Sequence, residues 1–363
     1  MNASTHFLII DDYIENNKLR SLCDEFVHGT SPKYIFGRNE YAVSVAESIE
    51  VDGFIDEYTK ETEFLGKPII SLNDLPKNAV VVVVLGRPLT ASKKLFKNGI
   101  RYIDYFSFQK YANLNILPVK FWNEFKLDFT ENRDQYQLVF SLLQDEQSRL
   151  ELTKLINFRL SNDLNYMDGF TDAQYRQYFE DFLALRPTAE VFVDVGGFDG
   201  LTSLEFIKRC PDYKGVHIFE PESGNMTIIK EKFSQLPCIM FYSHGLSNCT
   251  QTLRFSSKGS ASHVSKEGEL EIQVKRLDDV LHEPFTFLKM DIEGGETWAI
   301  EGAAQSIIKY HPRLAISVYH RFDDLWRIPQ QILSYRNDYQ IFLRHYTEGV
   351  DETVMFFIPQ GSR

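Results

Sequence analysis

The stretch that decides the fold is Val193-Asp194-Val195-Gly196-Gly197-Phe198-Asp199-Gly200. A short run rich in valine leads into a glycine-rich turn, and the residues from 201 onward have the composition of a helix. Glycine lets the backbone turn tightly and approach a ligand without a Cβ in the way. The helix that follows presents free N–H groups at its N-terminus. This strand, turn and helix predict a Rossmann-like unit with a ligand at the turn.

The turn differs from the fingerprint of dinucleotide-binding proteins. The pattern GxGxxG would need a glycine at position 195, which is Val195. The sequence has Asp-x-Gly-x-x-x-Gly instead, with Asp194 inside the end of the strand. A carboxylate suits a nucleoside that carries an ammonium-bearing tail, because it can pair with the cation. A nicotinamide or sugar-nucleotide enzyme is therefore the less favoured alternative, and a turn without a ligand also stays open.

A second acidic residue ends the next predicted strand, at residues 216–219. Glu220 lies twenty residues after Gly200 and is followed by Pro221, which stops the strand. In doubly wound folds, an acid at the tip of the second strand holds the two ribose hydroxyls. An isolated acid at a strand end is often merely solvated. Its spacing from the glycine turn favours a binding role for Glu220.

Acidic residues also follow the predicted strand at 285–290. Asp291, Glu293 and Glu296 lie within six residues of one another, at the carboxyl end of the strand where ligands bind. Lys289 and Asp291 share one face of that strand, because side chains repeat with period 2. The two glutamates could instead stabilise the N-terminus of the next helix. A site role is therefore predicted for Asp291 and left open for Glu296.

Length, charge and cysteine content set broad limits on the protein. The chain has 363 residues, which suits two domains, and 43% of them are hydrophobic, enough for buried cores. Asp and Glu number 51 against 39 Lys and Arg, and this acidic balance of −12 argues against nucleic-acid binding. The four scattered cysteines form no CxxC pair, so neither a zinc site nor a disulfide framework is predicted. A reduced, cytoplasmic compartment is the simpler expectation.

Membrane and export signals are also not predicted. The longest aliphatic run, residues 80–85, is far shorter than the roughly 20 residues that a membrane helix needs. The first apolar run, residues 6–10, is too short for a secretory signal and lacks a basic flank. We therefore expect no membrane span, while the oligomeric state cannot be read from the sequence.

Strand-like and helix-like segments alternate at both ends of the chain, which predicts parallel sheets with right-handed crossovers. Residues 1–112 are predicted as a smaller N-terminal Rossmann-like domain, and residues 113–186 as a helical connector. Arg38 and Arg87, each beside a strand-end glycine, are the positions where an anionic ligand would bind the first domain. A docking domain without a ligand is favoured there. The predicted strands of this domain are at 34–37, 51–55, 79–85 and 102–105, and the connector helices are within 135–163 and at 172–185.

Residues 187–363 are predicted as a doubly wound α/β domain with a seven-stranded sheet. Its last two strands form a hairpin, and an antiparallel excursion at 252–255 and 270–274 interrupts the series. The seven predicted strands are at 191–195, 216–219, 239–242, 285–290, 314–318, 341–344 and 354–358.

These features together carry a resemblance that covers residues 189–359. The segment resembles the FkbM-type family of S-adenosylmethionine-dependent methyltransferases, and residues 145–179 are similar to what precedes the domain in a subset of that family. The chain departs from the family at Gly197-Phe198, where Ala-Asn is more usual, which could reshape the methionine pocket. The matching motifs are Val-Asp-Val-Gly at 193–196 with Gly200 and Thr202, Glu220-Pro221, Gly245-Leu246-Ser247-Asn248, Arg276-Leu277-Asp278, and Lys289-Met290-Asp291-Ile292-Glu293-Gly294 with Glu296.

The resemblance implies a class I methyltransferase fold and S-adenosyl-L-methionine as the cofactor. It also implies O-methylation of a small-molecule or glycan acceptor, at a hydroxyl of a sugar, glycan precursor or related metabolite. Glu220 would hold the ribose, and Asp291 would face the transferred methyl group or the acceptor. The methionine end would be lined by Asp194, Gly196, Gly197 and Gly200, and the adenine would lie near Leu246 and Ser247.

A hydroxyl acceptor is a poor nucleophile, so a base near the strand tips is expected. The candidates are Asp291, His320, which follows the predicted strand 314–318, and His345, which lies between the last two strands. Each histidine could equally be a hydrogen-bonded structural residue. A divalent metal bound by Asp291 and Glu293 stays open as an alternative, but two carboxylates without a histidine do not favour it. A catalytically silent binding module of the same fold is the remaining alternative.

Overall fold

The computed structural model describes residues 7–9, 15–119, 122–256, 263–264 and 270–361, so only residues 7–9 of the first apolar run are included. The chain forms two compact units. The predicted connector, residues 113–186, divides between them, and the predicted domain boundaries stay a prediction. The first unit comprises Met1–Glu131, Leu152–Asp172 and Tyr346–Val350, and the second comprises Asn132–Glu151, Ala173–His345 and Asp351–Arg363.

The first unit contains a six-stranded sheet in the order β3-β4-β2-β1-β5-β6. Its neighbouring strands are parallel except for the pair β3 and β4. This confirms the smaller Rossmann-like fold, although helix α1 and the strands β3 and β4 are additions to the predicted elements. The strands are β1 Lys33–Phe36, β2 Gly53–Ile55, β3 Glu63–Phe64, β4 Lys67–Ile70, β5 Val80–Val83 and β6 Arg101–Asp104, and the helices are α1 Asn17–His28, α2 Glu40–Ser48, α3 Pro88–Lys97, α4 Tyr105–Tyr111 and α5 Trp122–Glu131.

Two arginines of the first unit were candidates for binding an anion. Arg38 donates to Asp56 at 2.8 Å and also pairs with Glu61. Arg87 pairs with Asp172 at 2.5 Å. Carboxylates thus contact both guanidinium groups, and an anionic ligand at either arginine stays a prediction.

The second unit carries the larger sheet and most of the remaining elements. Helix α7 contains the point, between residues 151 and 152, at which the chain passes from one unit to the other. The helices are α6 Arg133–Leu142, α7 Glu146–Ser161, α8 Leu201–Arg209, α9 Ser223–Lys232, α10 Leu277–Val280, α11 Glu296–Gly302, α12 Ala304–Tyr310 and α13 Asp324–Tyr335. The strands are β7 Val191–Val195, β8 Gly215–Phe219, β9 Ile239–Tyr242, β10 Gly245–Leu246, β11 Gln251–Ser256, β12 His263–Val264, β13 Leu270–Lys275, β14 Phe287–Met290, β15 Arg313–Ser317, β16 Tyr339–His345 and β17 Thr353–Pro359.

Seven of these strands form one sheet in the order β16-β17-β15-β14-β7-β8-β9. Strand β17 runs antiparallel to both of its neighbours, and the other neighbouring strands are parallel. The strand order reverses at β7, which lies between β14 and β8, and ligands of such folds bind at this point. The doubly wound, seven-stranded sheet of a class I methyltransferase and its terminal hairpin are thereby confirmed. None of the described helices combines the length and apolar character needed to cross a membrane.

The antiparallel excursion is also present, as a separate four-stranded sheet in the order β10-β13-β11-β12. Strands β11 and β13 pair antiparallel, as predicted, and β10 adds to β13 in parallel. This addition was not predicted, because two residues are too short a strand to give a periodic signal.

The predicted helix at 172–185 is wrong. The structure has two short 3-10 helices in this segment, Gln174–Arg176 and Asp181–Leu183. Tyr178 has φ 69° and Ala184 has φ 46°, and such left-handed residues do not continue an α-helix. The interrupted backbone turns the side chain of Tyr178 toward the end of β14, where it forms contacts described below.

Candidate functional site

A cavity of about 340 Å³ opens at the carboxyl ends of the central strands of the second unit. The turn after β7, the end of β8 and the residues after β14 all contribute to its wall. Six of the predicted site residues line it: Gly196, Gly197, Glu220, Leu246, Ser247 and Asp291. Four other predicted residues, Asp194, Gly200, His320 and His345, are not among the described residues that line it.

The glycine turn follows β7 and packs against the end of β14. Gly196 has φ 84°, and a Cβ added to it would lie 1.9 Å from the carbonyl oxygen of Asp291. Gly200 has φ 83° and directly precedes helix α8. Its backbone conformation therefore sets the start of the helix and does not form part of the cavity wall. Our prediction that Gly200 lines the methionine end is therefore wrong, whereas Gly196 lies where only a glycine fits.

Asp194 is completely buried and supports the turn from behind. Its carboxylate accepts a hydrogen bond from Ser203 Oγ at 2.6 Å and lies 3.2 Å from Lys289 Nζ. Lys289 in turn donates to the carbonyl oxygen of Gly196 at 2.7 Å. Burial lowers the pKa of Lys289, but the Asp194 charge outweighs it and the pKa is raised. Asp194 thus neutralises a buried lysine, and the prediction that it lines the cavity is wrong.

Glu220 follows β8 and lines the cavity wall. One carboxylate oxygen accepts from the N–H of Phe198 at 2.8 Å, and the other accepts from the N–H of Glu222 at 2.9 Å. Burial raises the pKa of Glu220 above its ordinary value. The side chain of Asn225 also hydrogen-bonds to Glu220. Because the two oxygens of a carboxylate offer about four acceptor sites, Glu220 keeps acceptor capacity for a hydroxyl group.

Asp291 follows β14 and accepts a hydrogen bond from the hydroxyl of Tyr178 at 2.5 Å. The Tyr178 hydroxyl also lies 3.3 Å from Ser317 Oγ. Burial, and then the charge of Asp291, raises the pKa of Tyr178 well above its ordinary value. The tyrosine therefore remains a hydrogen-bond donor. Sequence analysis missed it, because a helix had been predicted across residue 178.

Glu352 lies just before β17 and lines the same cavity. Its carboxylate accepts from the side-chain amides of Gln177 and Gln174, the latter at 3.2 Å. Burial, and then the charge of Asp291, raises the pKa of Glu352 above its ordinary value. Sequence analysis missed this residue too. A glutamate in a polar loop between two strands carries no signal of its own, and only the fold of the hairpin brings it to the site.

His320 follows β15, beside the cavity wall, and is surrounded by carboxylates. Its Nδ1 lies 2.9 Å from Glu296 Oε1, and its Nε2 lies 3.3 Å from Asp291 Oδ1. Burial alone lowers the pKa of His320, but the carboxylates, Glu296 foremost, raise it to about 10. His320 is held among carboxylates beside the cavity, and its role as the base stays a prediction.

His345 ends β16 and takes part in a buried network apart from the cavity wall. Its Nδ1 lies 2.8 Å from Thr353 Oγ1, and its backbone N–H donates to Glu151 at 2.8 Å. These contacts bind the terminal hairpin to helix α7. The structure therefore assigns His345 a structural position and not that of a base.

Residues 194–341 match the protein family described as the Methyltransferase FkbM domain. This segment, less than half of the chain, is therefore similar to the FkbM methyltransferase domain. The match includes the glycine turn, Glu220, Asp291 and His320. Tyr178 and Glu352 lie outside the matched segment, although both contact residues of the same cavity. The comparison with curated proteins found no match.

Among solved structures, the methyltransferase FkbM of Methylobacillus flagellatus KT aligns over 98% of this chain and 96% of its own, with 23% identity and a TM-score of 0.74. At that identity the likeness establishes a shared fold. An rRNA methylase of Streptococcus thermophilus aligns over 49% of this chain and 92% of its own, with 14% identity and a TM-score of 0.34. The protein SMU.1697c of Streptococcus mutans, solved with SAH, aligns over 48% and 92%, with 13% identity and a TM-score of 0.31. Both of these likenesses are too weak to bear on function.

Proposed function

We propose that this protein is an S-adenosylmethionine-dependent methyltransferase that methylates a hydroxyl of a sugar, glycan precursor or related metabolite. The FkbM domain supports methyl transfer. The observation that carries the proposal is that one cavity has Glu220 and the glycine turn in its wall together with the carboxylates of Asp291 and Glu352. Such a cavity offers hydroxyl-binding groups for the cofactor and acidic groups for the reacting centre.

The residues present fit this cofactor. Glu220 offers a carboxylate acceptor for the ribose hydroxyls, and the turn Gly196-Gly197 offers the backbone approach that the methionine end needs. The apolar part of the wall suits the adenine, and it contains Leu246, Leu253, Ile272 and Val274. When bound, the cofactor supplies an electrophilic methyl group on a positively charged sulfur. The carboxylates around the cavity favour that positive charge.

The chain's own residues would position the acceptor and remove its proton. Methyl transfer is an in-line displacement, so most of the acceleration comes from holding the two reactants in line. Asp291 offers an acceptor for a hydroxyl group of the substrate, and Tyr178, whose hydroxyl proton is donated to Asp291, holds that carboxylate in position. Glu352 is the proposed base in place of the two histidines. Its raised pKa makes it a better proton acceptor for a hydroxyl than an ordinary glutamate is.

Calorimetric titration with S-adenosylmethionine, NAD and a UDP-sugar tests the proposal. We expect saturable binding of S-adenosylmethionine alone, weakened about tenfold or more by Glu220→Gln, because hydrogen bonding of the ribose to a charged acceptor is lost. Glu231→Gln is the matched control, since this glutamate is exposed on α9. Binding of NAD or the UDP-sugar without any response to S-adenosylmethionine would overturn the proposal.

A further inference from the structure

A cluster of carboxylates surrounds the imidazole of His320 beside the cavity. Asp291 comes from the residues after β14, Glu296 begins helix α11, and His320 follows β15. The side chains of His320 and Glu296 are only 6% and 1% exposed, whereas that of Asp291 is 19% exposed and lines the cavity. The cluster is thus buried on one side and open to the cavity through Asp291.

One contact fixes which nitrogen of the imidazole carries hydrogen. His320 Nδ1 lies 2.9 Å from Glu296 Oε1, and this oxygen also accepts from the N–H of Ile292 at 2.9 Å. An ionised carboxylate can only accept, so Nδ1 is the donor. Histidines that ligate metals are oriented in this way, by a carboxylate that accepts from the nitrogen not bound to the metal. The other nitrogen, Nε2, faces Asp291 and Glu293.

Two buried atoms, His320 Nε2 and Asp291 Oδ1, lie on the Nε2 side of the imidazole. Among the described residues, neither His320 Nε2 nor Asp291 Oδ1 makes a hydrogen bond, although both atoms are buried. Nε2 lies 3.3 Å from Asp291 Oδ1 and 3.6 Å from Glu293 Oε2. A proton on Nε2 shared with a carboxylate would bring the two atoms to about 2.8 Å. The observed separations are too long for that.

The two separations measured from His320 Nε2 match those between two ligands of one metal ion. Two donor atoms that each lie about 2.1 Å from an ion are about 3.4 Å apart at a tetrahedral angle and about 3.0 Å apart at a right angle. We propose that His320 Nε2, Asp291 and Glu293 bind a divalent cation, with Glu296 orienting the imidazole. Glu296 belongs to the same cluster. One donor atom from each of Asp291, Glu296 and His320 lies within 4.8 Å of the other two.

One imidazole and two carboxylates favour ions that accept both nitrogen and oxygen ligands, such as Mn²⁺ or Zn²⁺. Three protein ligands leave at least one coordination position open, toward the cavity that Asp291 lines. An acceptor hydroxyl bound there would lose its proton more readily, because the cation stabilises the alkoxide. This role rests on the proposed methyl transfer, whereas the binding of the cation does not.

The test is calorimetric titration of the chelator-treated protein with Mn²⁺ and with Zn²⁺, each without cofactor or acceptor. We expect one ion bound per chain with a Kd below about 100 µM. Asp291→Asn, at a partly exposed position, and His320→Gln should each weaken binding about tenfold or more. His311→Gln is the matched control, because His311 also lies 3.2 Å from a carboxylate, Asp338, but outside the cluster.

Circular dichroism melting shows which variants remain folded, and Asp291→Asn keeps the test decisive if His320→Gln does not fold. The inference would be overturned if neither ion bound saturably below about 1 mM. It would also be overturned if a folded Asp291→Asn variant bound the ion with unchanged affinity. Calorimetry with S-adenosylmethionine on the same sample separates the two proposals. If the protein binds the cofactor but no cation, the metal site is refuted and the proposed function is not. If it binds a cation but not S-adenosylmethionine, the proposed function is refuted and the metal site is not.

Discussion

Replacing Lys289 by methionine tests the interpretation of the pair beneath the glycine turn. Lys289 is 3% exposed, lies 3.2 Å from the Asp194 carboxylate and donates to the Gly196 carbonyl. Without the lysine, the Asp194 charge remains fully buried with Ser203 as its one hydrogen-bond donor among the described residues. Removing one partner of a buried ion pair leaves the other charge unpaired and lowers the free energy of unfolding by about 3–5 kcal/mol. In a unit of about 200 residues each kcal/mol shifts Tm by about 2–4 °C, so Lys289→Met should lower Tm by about 10 °C.

Thermal unfolding followed by tryptophan fluorescence measures this change, because Trp298 and Trp326 lie in the second unit. The double variant Lys289→Met with Asp194→Asn should recover most of the lost stability, since it removes the unpaired charge. Lys230→Met, at an exposed position of α9, is the control and should change the free energy of unfolding by less than about 0.5 kcal/mol. A Tm within about 2 °C of the parent for Lys289→Met, or no recovery in the double variant, would refute the reasoning.

Three further predictions concern the turn, acid stability and the pH dependence of catalysis. Gly196→Ala should abolish cofactor binding in calorimetry, because its Cβ would lie 1.9 Å from the Asp291 carbonyl; retained affinity would contradict this. Glu190 is buried, and although burial raises its pKa, its pairing with Arg313 lowers it to about 2. A lowered carboxyl pKa stabilises the folded state above the unfolded pKa of 4.5, and this contribution is lost as pH falls toward 2. Glu190→Gln should therefore flatten the dependence of Tm on pH between about 5 and 2, and an unchanged slope would count against it. If Glu352 is the base, kcat/KM of the parent should rise with pH through a pKa above 4.5. Glu352→Gln should remove that rise and lower kcat at least about 100-fold, whereas an unaltered pH profile would exclude it as the base.

The elements that the sequence predicted best are those with strong local signals. Strand β7 and the turn after it were located from their valines and glycines. Glu220 was located from its spacing to Gly200 and the following Pro221, and Asp291 from its position after an apolar run. The proximity of these residues could also be predicted from the topology, because the carboxyl ends of parallel strands meet at one edge of a sheet. The residues named on this basis line the cavity, apart from Asp194 and Gly200.

Those two residues show the limit of a motif. A motif fixes position along the chain, but not the direction in which a side chain points. Side chains along β7 point alternately to the two faces of the sheet. The surroundings of the Asp194 side chain depend on the register between β7 and β14, which places Lys289 beside it. Gly200 was predicted to line the cavity, but its left-handed backbone conformation instead allows α8 to begin at the next residue.

The residues that were missed depend on contacts between distant parts of the chain. Tyr178 reaches Asp291 across 113 positions of sequence, and Glu352 contacts Gln177 across 175 positions. A metal site at Asp291 and Glu293 was left open but not favoured, because no histidine was counted with them. The fold supplies one, because β15 pairs with β14 and places the residues after both strands side by side. No local pattern in the sequence announces that pairing.

The central claim is that the cavity beside the β7 turn holds S-adenosylmethionine. A crystal structure with the stable product S-adenosylhomocysteine tests it most directly. We predict that the ribose hydroxyls contact Glu220, that the amino-acid end lies at Gly196-Gly197, and that the sulfur faces the side of the cavity formed by Asp291 and Glu352. A ligand bound elsewhere, or bound in this cavity with its ribose away from Glu220, would contradict the account.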